Sequence, residues 1–374
     1  MPTPGASQPI DVCLVSCILF VCYEAMRGHY GAAITHITSG LKILSELRNT
    51  PSSSNYLKPS NVGRTTYVPI DVLCGIFSRL QAQAIVTVPE KSPSFEKIWP
   101  DRVVDLSQPV VFNSLAHARE MLEIHTYDYR QQSIKFLNQQ IQGNWTDPTT
   151  SAEFVPPVSP EAVALRDTFL SVLDSWSTAL DNYLRDHSAS MTIRQQRGAA
   201  ILKVRELDSF ISLDVIPSIG GLAVDNQMLW DNYIPLFQRM VTLGESIIQW
   251  FPYSSLSSSP TNFSLDLGIV GTLFNVAARC RDPRIRRHAI RVLRAAAVQD
   301  GVWNSAVVAD IAEKWVEIEE EGLGIIRSCA DVPPDSRLIH FLPVFDVDQC
   351  SALVYFSFTL KIDSGSVRRE VFQW

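Results

Sequence analysis

Apolar side chains recur at intervals of three and four residues along most of the chain, which is the pattern of amphipathic helices. The first such stripe is formed by Val12, Val15, Leu19 and Cys22. Asp11 precedes it and is placed to cap a helix, and Gly28 marks a turn before a second stripe over residues 30–47. Two helices joined this closely must run antiparallel, so residues 1–48 are predicted to form a helical hairpin.

Segments rich in Pro, Ser or Asn interrupt the pattern and separate further predicted helices. These helices span about residues 72–80, 110–142, 160–186, 192–213, 225–250, 283–298 and 302–321. The end differs, because residues 353–362 are rich in Val, Tyr and Phe, and residues 363–365 could turn the chain back toward residues 367–372. The sequence therefore predicts an all-α fold, either an antiparallel helical-hairpin bundle or an irregular helical array, with a small C-terminal β-hairpin.

We divide the chain into a helical body, residues 1–337, and a C-terminal extension, residues 338–374. The hydrophobic fraction of 46% over 374 residues is enough to bury a sizeable core. No internal repeat at a fixed period is evident.

Residues 279–294 carry seven arginines and one aspartate, a local charge of +6. Asp282 and Pro283 are a favourable helix start, since Asp accepts from free backbone N–H groups and Pro needs no donor in the first turn. On a helical projection the inward side is Ile285, Ala289, Val292, Leu293 and Ala296, and the outward side is Arg284, Arg287, Arg291 and Arg294. Arg286 lies near the apolar border and is expected to be structural.

The outward arginines permit two interpretations. They could bind phosphate or an acidic protein partner, because guanidinium groups recognise oxyanions well. Alternatively they are solvated or paired with the next helix, whose outward positions are predicted to be Asp310, Glu313, Glu317, Glu319, Glu320 and Glu321. The sequence leaves both open and favours the second.

Aromatic residues cluster on or near one predicted helix and are Trp230, Tyr233, Phe237, Trp250 and Phe251. They could line a pocket for a small-molecule effector, with Trp230, Tyr233 and Phe237 as candidates, although core packing is the simpler interpretation. His117 and His125 lie eight residues apart on another predicted helix. Satisfied or solvent-facing histidines are expected there rather than metal ligands.

The net charge is −7, whereas a protein that binds nucleic acid by itself typically carries an excess of basic residues, so such a function is not expected for the whole chain. The seven scattered cysteines favour free thiols in a reducing compartment, and we expect no metal or other cofactor. The longest apolar run, residues 12–23, is too short to span a bilayer, so no membrane association is expected. No catalytic motif of the common hydrolase, metalloprotease, P-loop or dinucleotide-binding types is present, and we expect a protein that is not an enzyme.

Two segments resemble the C-terminal regulatory region of fungal zinc binuclear cluster transcription factors, the fungal-specific transcription factor domain. One is CLVSCILFVCYEAMRGHYGAAITHITSGLKIL at 13–44, and the other is CRDPRIRRHAIRVLR at 280–294 followed by GVWNSAVVADIAEKWVEIEE at 301–320. The resemblance implies a helical regulatory body, a nuclear location, control of metabolic or biosynthetic-cluster genes, and protein partners from the transcription machinery.

Members of that family carry a DNA-binding module of six cysteines that includes Cys-x-x-Cys pairs, and this chain contains no Cys-x-x-Cys. That departure argues against direct sequence-specific DNA binding by this chain. A stand-alone helical protein-interaction scaffold with no transcriptional role, which could be cytoplasmic, is the alternative.

Overall fold

The computed structural model describes residues 9–49, 67–87, 98, 110–144, 160–218, 227–249, 262–265, 268–346, 350–358 and 367–374. The helices within these ranges are α1 (Ile10–Met26), α2 (Tyr30–Asn49), α3 (Ile70–Thr87), α4 (Leu115–Asn144), α5 (Pro160–His187), α6 (Ile193–Ser218), α7 (Ile234–Gln249), α8 (Val270–Arg279), α9 (Pro283–Ala296) and α10 (Ser305–Glu320). The described part is mainly α-helical, which confirms the predicted fold class.

α1 and α2 pack against each other as the predicted hairpin. The turn between them needs Gly28, which has a φ of +76°, and a Cβ there would lie 2.2 Å from the indole nitrogen of Trp374. The capping role predicted for Asp11 is wrong. The helix begins one residue earlier, at Ile10, so the buried Asp11 carboxylate instead accepts backbone hydrogen bonds from the 67–68 segment.

Two predicted helix starts shift. α4 begins at Leu115 rather than near residue 110. The Ser114 hydroxyl caps it by accepting from the N–H of His117 at 3.1 Å, after an irregular segment over residues 110–114. The segment predicted as one helix over 225–250 starts as a 3-10 helix, Gln227–Tyr233, followed by α7. Pro235 lacks an N–H and fits only near the start of an α-helix.

Residues 262–279 carry no element predicted from the sequence, and the structure has α8 and a short strand within them. That strand, β1 (Asn262–Ser264), pairs in parallel with β2 (Val298–Asp300), which pairs antiparallel with β3 (Trp303–Asn304). Helical spacing was present in Val270, Leu273, Phe274 and Ala277, which all lie in the core. α8 has only ten residues, so its stripe is short.

The C-terminal extension forms a sheet of three strands, β4 (His340–Asp346), β5 (Ser351–Ser357) and β6 (Val367–Gln373), antiparallel in that order. The predicted hairpin corresponds to β5 and β6, and its predicted turn at residues 363–365 lies outside the described residues. β4 was missed. The sheet rests on α10, where the Trp315 ring lies 6.0 Å from that of Phe341 and 6.1 Å from that of Phe356.

Two apolar cores organise these elements. The larger core runs from α1 and α2 through α8, α9 and α10 to the C-terminal sheet. The smaller core lies between α4, α5 and α6 and includes Phe112, Leu122, Phe169, Trp176 and Leu213. Among the described helices, none combines the length and apolar character needed to cross a bilayer.

Candidate functional site

The arginine-rich helix, α9, begins as its sequence predicts. The Asp282 carboxylate accepts from the N–H groups of Arg284 at 3.0 Å and Ile285 at 3.1 Å, and Pro283 occupies the first turn. All five residues projected inward are buried. The side chain of Arg284 is 88% exposed, and Arg291 is also exposed.

The acidic helix α10 pairs with two of the four outward arginines. Arg287 donates to Glu320, and Arg294 donates to Asp310 at 2.9 Å and to Glu313. The hydrogen bonds from Glu313 and Asp310 raise the pKa of Arg294 above its ordinary value. These two arginines are therefore largely neutralised within the molecule. Of the other two outward arginines, Arg291 is exposed, and Arg284 is strongly exposed with only a 3.9 Å contact to the Asp282 carboxylate.

Glu319 does not face outward, contrary to the sequence analysis. It has no solvent exposure, and its two carboxylate oxygens accept from Arg281 and Arg286, each at 2.8 Å. Both arginines are likewise fully buried. Burial alone would raise the pKa of Glu319, but the two arginines outweigh it through charge and hydrogen bonds and lower that pKa below its ordinary value.

The same cluster connects four parts of the chain. Glu319 also accepts from the N–H of Leu338 at 2.8 Å, and Arg281 donates to the side-chain oxygen of Gln227 at 3.2 Å. A fully buried Arg337 forms a bidentate pair with Asp231, at 2.9 and 2.8 Å. The segment before β4 and the 3-10 helix before α7 are therefore tied to α9 and α10 by buried charge.

The buried ion cluster of Arg281, Arg286, Glu319, Arg337 and Asp231 holds the fold together and has no geometry suited to a reaction. Every charged member has opposite-charge or backbone partners within hydrogen-bonding distance, and none lines either of the two cavities described below. Such a network is costly to break, because removing one partner leaves a buried charge unpaired.

The candidate pocket residues lie apart from those cavities too. Phe237 is buried in the larger core, Tyr233 donates from its hydroxyl to Asp214, and the Trp230 ring lies under the guanidinium of Arg279 at 5.3 Å. None of the three lines either cavity. Trp250 and Phe251 lie outside the described residues.

The cysteines are free thiols, and the two most buried ones are not activated as nucleophiles. No disulfide joins any of the seven, and burial raises the pKa of Cys74 and of Cys280 to about 12, so both stay protonated. Within the described ranges, no three His, Cys, Asp or Glu side chains come together as a metal site.

A polar cavity of about 140 Å³ lies between α3, α4, α6 and α8. Its described ionisable lining residues are Arg79, Glu123, Arg205, Asp208 and Asp300. Glu123 accepts from Arg79 at 2.7 Å and from Arg205 at 3.2 Å, so one carboxylate holds both arginines.

An apolar cavity of about 170 Å³ adjoins it between α4, α5 and α6. Its apolar walls include Leu122, Tyr129, Phe169, Val172, Leu173, Trp176 and Leu213. Thr126, Asp208 and Ser209 line both cavities, so the two share a boundary. α6 supplies two of these three residues, Asp208 and Ser209, and α4 supplies Thr126.

His125 lines the apolar cavity, and the expectation that it is satisfied or solvent-facing is wrong. It is neither solvent-facing nor fully satisfied, since it is 8% exposed and its Nδ1 has no hydrogen-bond partner among the described residues. Burial lowers its pKa to about 4, so the imidazole is neutral at physiological pH. The eight-residue spacing from His117 gave no sign of this, because the other walls of the cavity come from α5 and α6.

The comparisons with known proteins indicate a regulatory relative. No family model matches the chain, and no solved structure matches it. A curated protein of Emericella nidulans, the aspercryptin biosynthesis cluster-specific transcription regulator atnN, is 21% identical over 445 aligned residues, covering 97% of this chain and 67% of the relative. The chain is thus similar, along nearly its whole length, to a transcription regulator.

Proposed function

We propose that this chain is the helical regulatory body of a fungal transcription regulator of the zinc-cluster type, acting in the nucleus on metabolic or biosynthetic-cluster genes. The observation that carries the proposal is the similarity to a cluster-specific transcription regulator over 97% of the chain. The body works through protein contacts and catalyses no reaction. The sequence-specific DNA contact is made by another module or an associated protein.

The arrangement of the two family-like segments supports this proposal. Residues 13–44 form most of the α1–α2 hairpin, and residues 280–320 form the α9–α10 pair, and both belong to the larger core. A core shared by distant segments allows the body to act as one unit. The division at residues 337 and 338 remains a prediction, and the sheet of the extension packs on that same core.

The proposed partner surface is the exposed part of α9. Arg284 and Arg291 extend into solvent, while Arg287 and Arg294 pair with α10. An acidic segment of a transcription-machinery protein would form charge-assisted hydrogen bonds with the two exposed guanidinium groups. Because Arg294 and Asp310 are both exposed, such a partner can exchange with α10 at this pair at small cost.

The experiment tethers the full chain to an unrelated DNA-binding module in a fungal reporter strain. We expect nuclear accumulation and a severalfold change in reporter transcript. The double variant Arg284→Glu/Arg291→Glu should reduce the response, and Arg194→Glu/Arg239→Glu, which changes two exposed arginines elsewhere, should preserve it.

A stand-alone scaffold predicts the opposite result. The tethered chain would leave the reporter unchanged, and the untethered chain would be found in stable cytoplasmic complexes. That outcome would overturn the transcriptional proposal.

A further inference from the structure

We propose that the two adjoining cavities bind a small aromatic amine, with its ring in the apolar cavity and its ammonium group beside Asp208 and His125. This inference goes beyond the proposed function and does not depend on it. It rests on the size and lining of the cavities and on the unmet hydrogen bond of His125 Nδ1 among the described residues.

The apolar cavity fits one aromatic ring. Apolar cavities of about 150 Å³ are known to hold benzene, and this one has a volume of about 170 Å³. Phe169 and Trp176 supply aromatic walls, on which a ring can pack edge to face or offset. The Trp176 indole N–H donates to the carbonyl of Ala118 at 2.8 Å, which fixes that wall in place.

Asp208 and His125 both line the apolar cavity and can accept hydrogen bonds, and Asp208 also lines the polar cavity. The Asp208 carboxylate accepts from the hydroxyl of Thr272, a residue of the polar cavity, at 3.4 Å, and an ammonium group at the shared boundary would give it a charged donor as well. Among the described residues Nδ1 of His125 has no hydrogen-bond partner, and a neutral imidazole protonated on Nε2 accepts at Nδ1. A buried polar atom without a partner is costly, and a ligand N–H would remove that cost.

The arginines of the polar cavity are already engaged, which disfavours a ligand anion. The described lining has three carboxylates, Glu123, Asp208 and Asp300, against two arginines, and Arg197 interacts with Asp300 from outside the lining. Both lining arginines already donate to Glu123, so a ligand carboxylate would compete with an existing ion pair. A hydrocarbon would fill the ring space but would leave His125 unsatisfied.

Calorimetry with the full chain tests this with four probes of the same ring size: β-phenylethylamine, phenylalanine, 3-phenylpropionate and propylbenzene. We expect β-phenylethylamine to bind at least tenfold more tightly than 3-phenylpropionate and propylbenzene, with phenylalanine no tighter than the amine. Equal or tighter binding of the carboxylate or the hydrocarbon, or no measurable binding of the amine, would overturn the proposal.

Variants then locate the site. Asp208→Asn keeps the shape and should weaken amine binding about tenfold or more, whereas Asp174→Asn, on the exposed face of α5, should leave binding unchanged. Ser212→Phe should fill the apolar cavity and abolish binding. If Ser212→Phe does not fold, the pair Asp208→Asn and Asp174→Asn decides alone, and equal amine affinity in the two would refute the assignment.

Discussion

Glu319 and Arg286, on neighbouring helices, form an ion pair of 2.8 Å in which neither side chain has any solvent exposure. The other oxygen of Glu319 holds Arg281 and the backbone of Leu338, so one carboxylate joins α10, α9, the α8–α9 connection and the segment leading into β4. A buried carboxylate with two arginines and a backbone donor is a strong constraint on how these elements pack.

Replacing Glu319 by Gln should destabilise the fold by about 3 kcal/mol or more, because two buried guanidinium groups would lose their counter-charge. Urea denaturation of the variant and its parent measures this. Glu317→Gln is the matched control, since Glu317 is exposed and pairs with the surface residue Lys314, and it should change stability by less than about 1 kcal/mol. Similar stabilities for the two variants would show that Glu319 is not buried as described.

The same residue predicts a pH dependence. The pKa of Glu319 is lower in the folded chain than its ordinary 4.5, so its contribution to stability is complete above pH 4.5 and is lost as the pH falls through the folded pKa. Stability measured from pH 7 downward should therefore decline more steeply in the parent than in Glu319→Gln. Parallel curves for the two proteins would contradict the lowered pKa.

His125 predicts a separate acid-sensitive component. Its folded pKa of about 4 lies below the ordinary 6.5, so the unfolded chain binds a proton between these values that the folded chain does not. This contribution is complete above pH 6.5 and falls by roughly 3 kcal/mol as the pH drops to about 4. His125→Asn should lose the component, whereas His187→Asn, at an exposed position, should keep the parental curve.

Ile285→Asp tests which face of α9 points inward. Ile285 is 5% exposed, so the variant would bury an unpaired carboxylate at a cost of about 3 kcal/mol or more. Arg284→Ala, one residue away on the exposed face, should change stability by less than about 0.5 kcal/mol. Chemical denaturation gives the free energy of unfolding of both variants. A larger loss for Arg284→Ala than for Ile285→Asp would show that the buried face of α9 has been assigned wrongly.

Gly40→Ala tests the contact between α2 and α3. An added Cβ would lie 2.1 Å from the ring of the fully buried Phe77, so the helices must separate, at a cost of about 1–3 kcal/mol. Gly198→Ala on α6 is the control, because the nearest atom to its Cβ is 3.8 Å away and Ala favours the helix by up to about 1 kcal/mol. Thermal melting should move the two variants in opposite directions.

Local sequence determined the elements whose signals are local. Helical periodicity, the Asp282-Pro283 start and the aromatic and β-branched end of the chain predicted most helices, the start of α9 and the strands β5 and β6. The alternation of Arg and apolar residues in α9 also predicted its inward face, because a helix repeats every 3.6 residues regardless of its surroundings.

Tertiary packing determined which polar and charged side chains are buried, and the periodicity of a single helix carries no information on this. Glu319 was expected outside with the other acidic residues of α10, but a helix projection contains no information on the arginines of α9 and of the α8–α9 connection, which meet its carboxylate inside. His125 was likewise indistinguishable from a satisfied histidine until α5 and α6 closed an apolar cavity around it. Both cases involve charge or polarity whose burial depends on distant segments, and the free energy of burying such a group is set by its neighbours in space rather than in sequence.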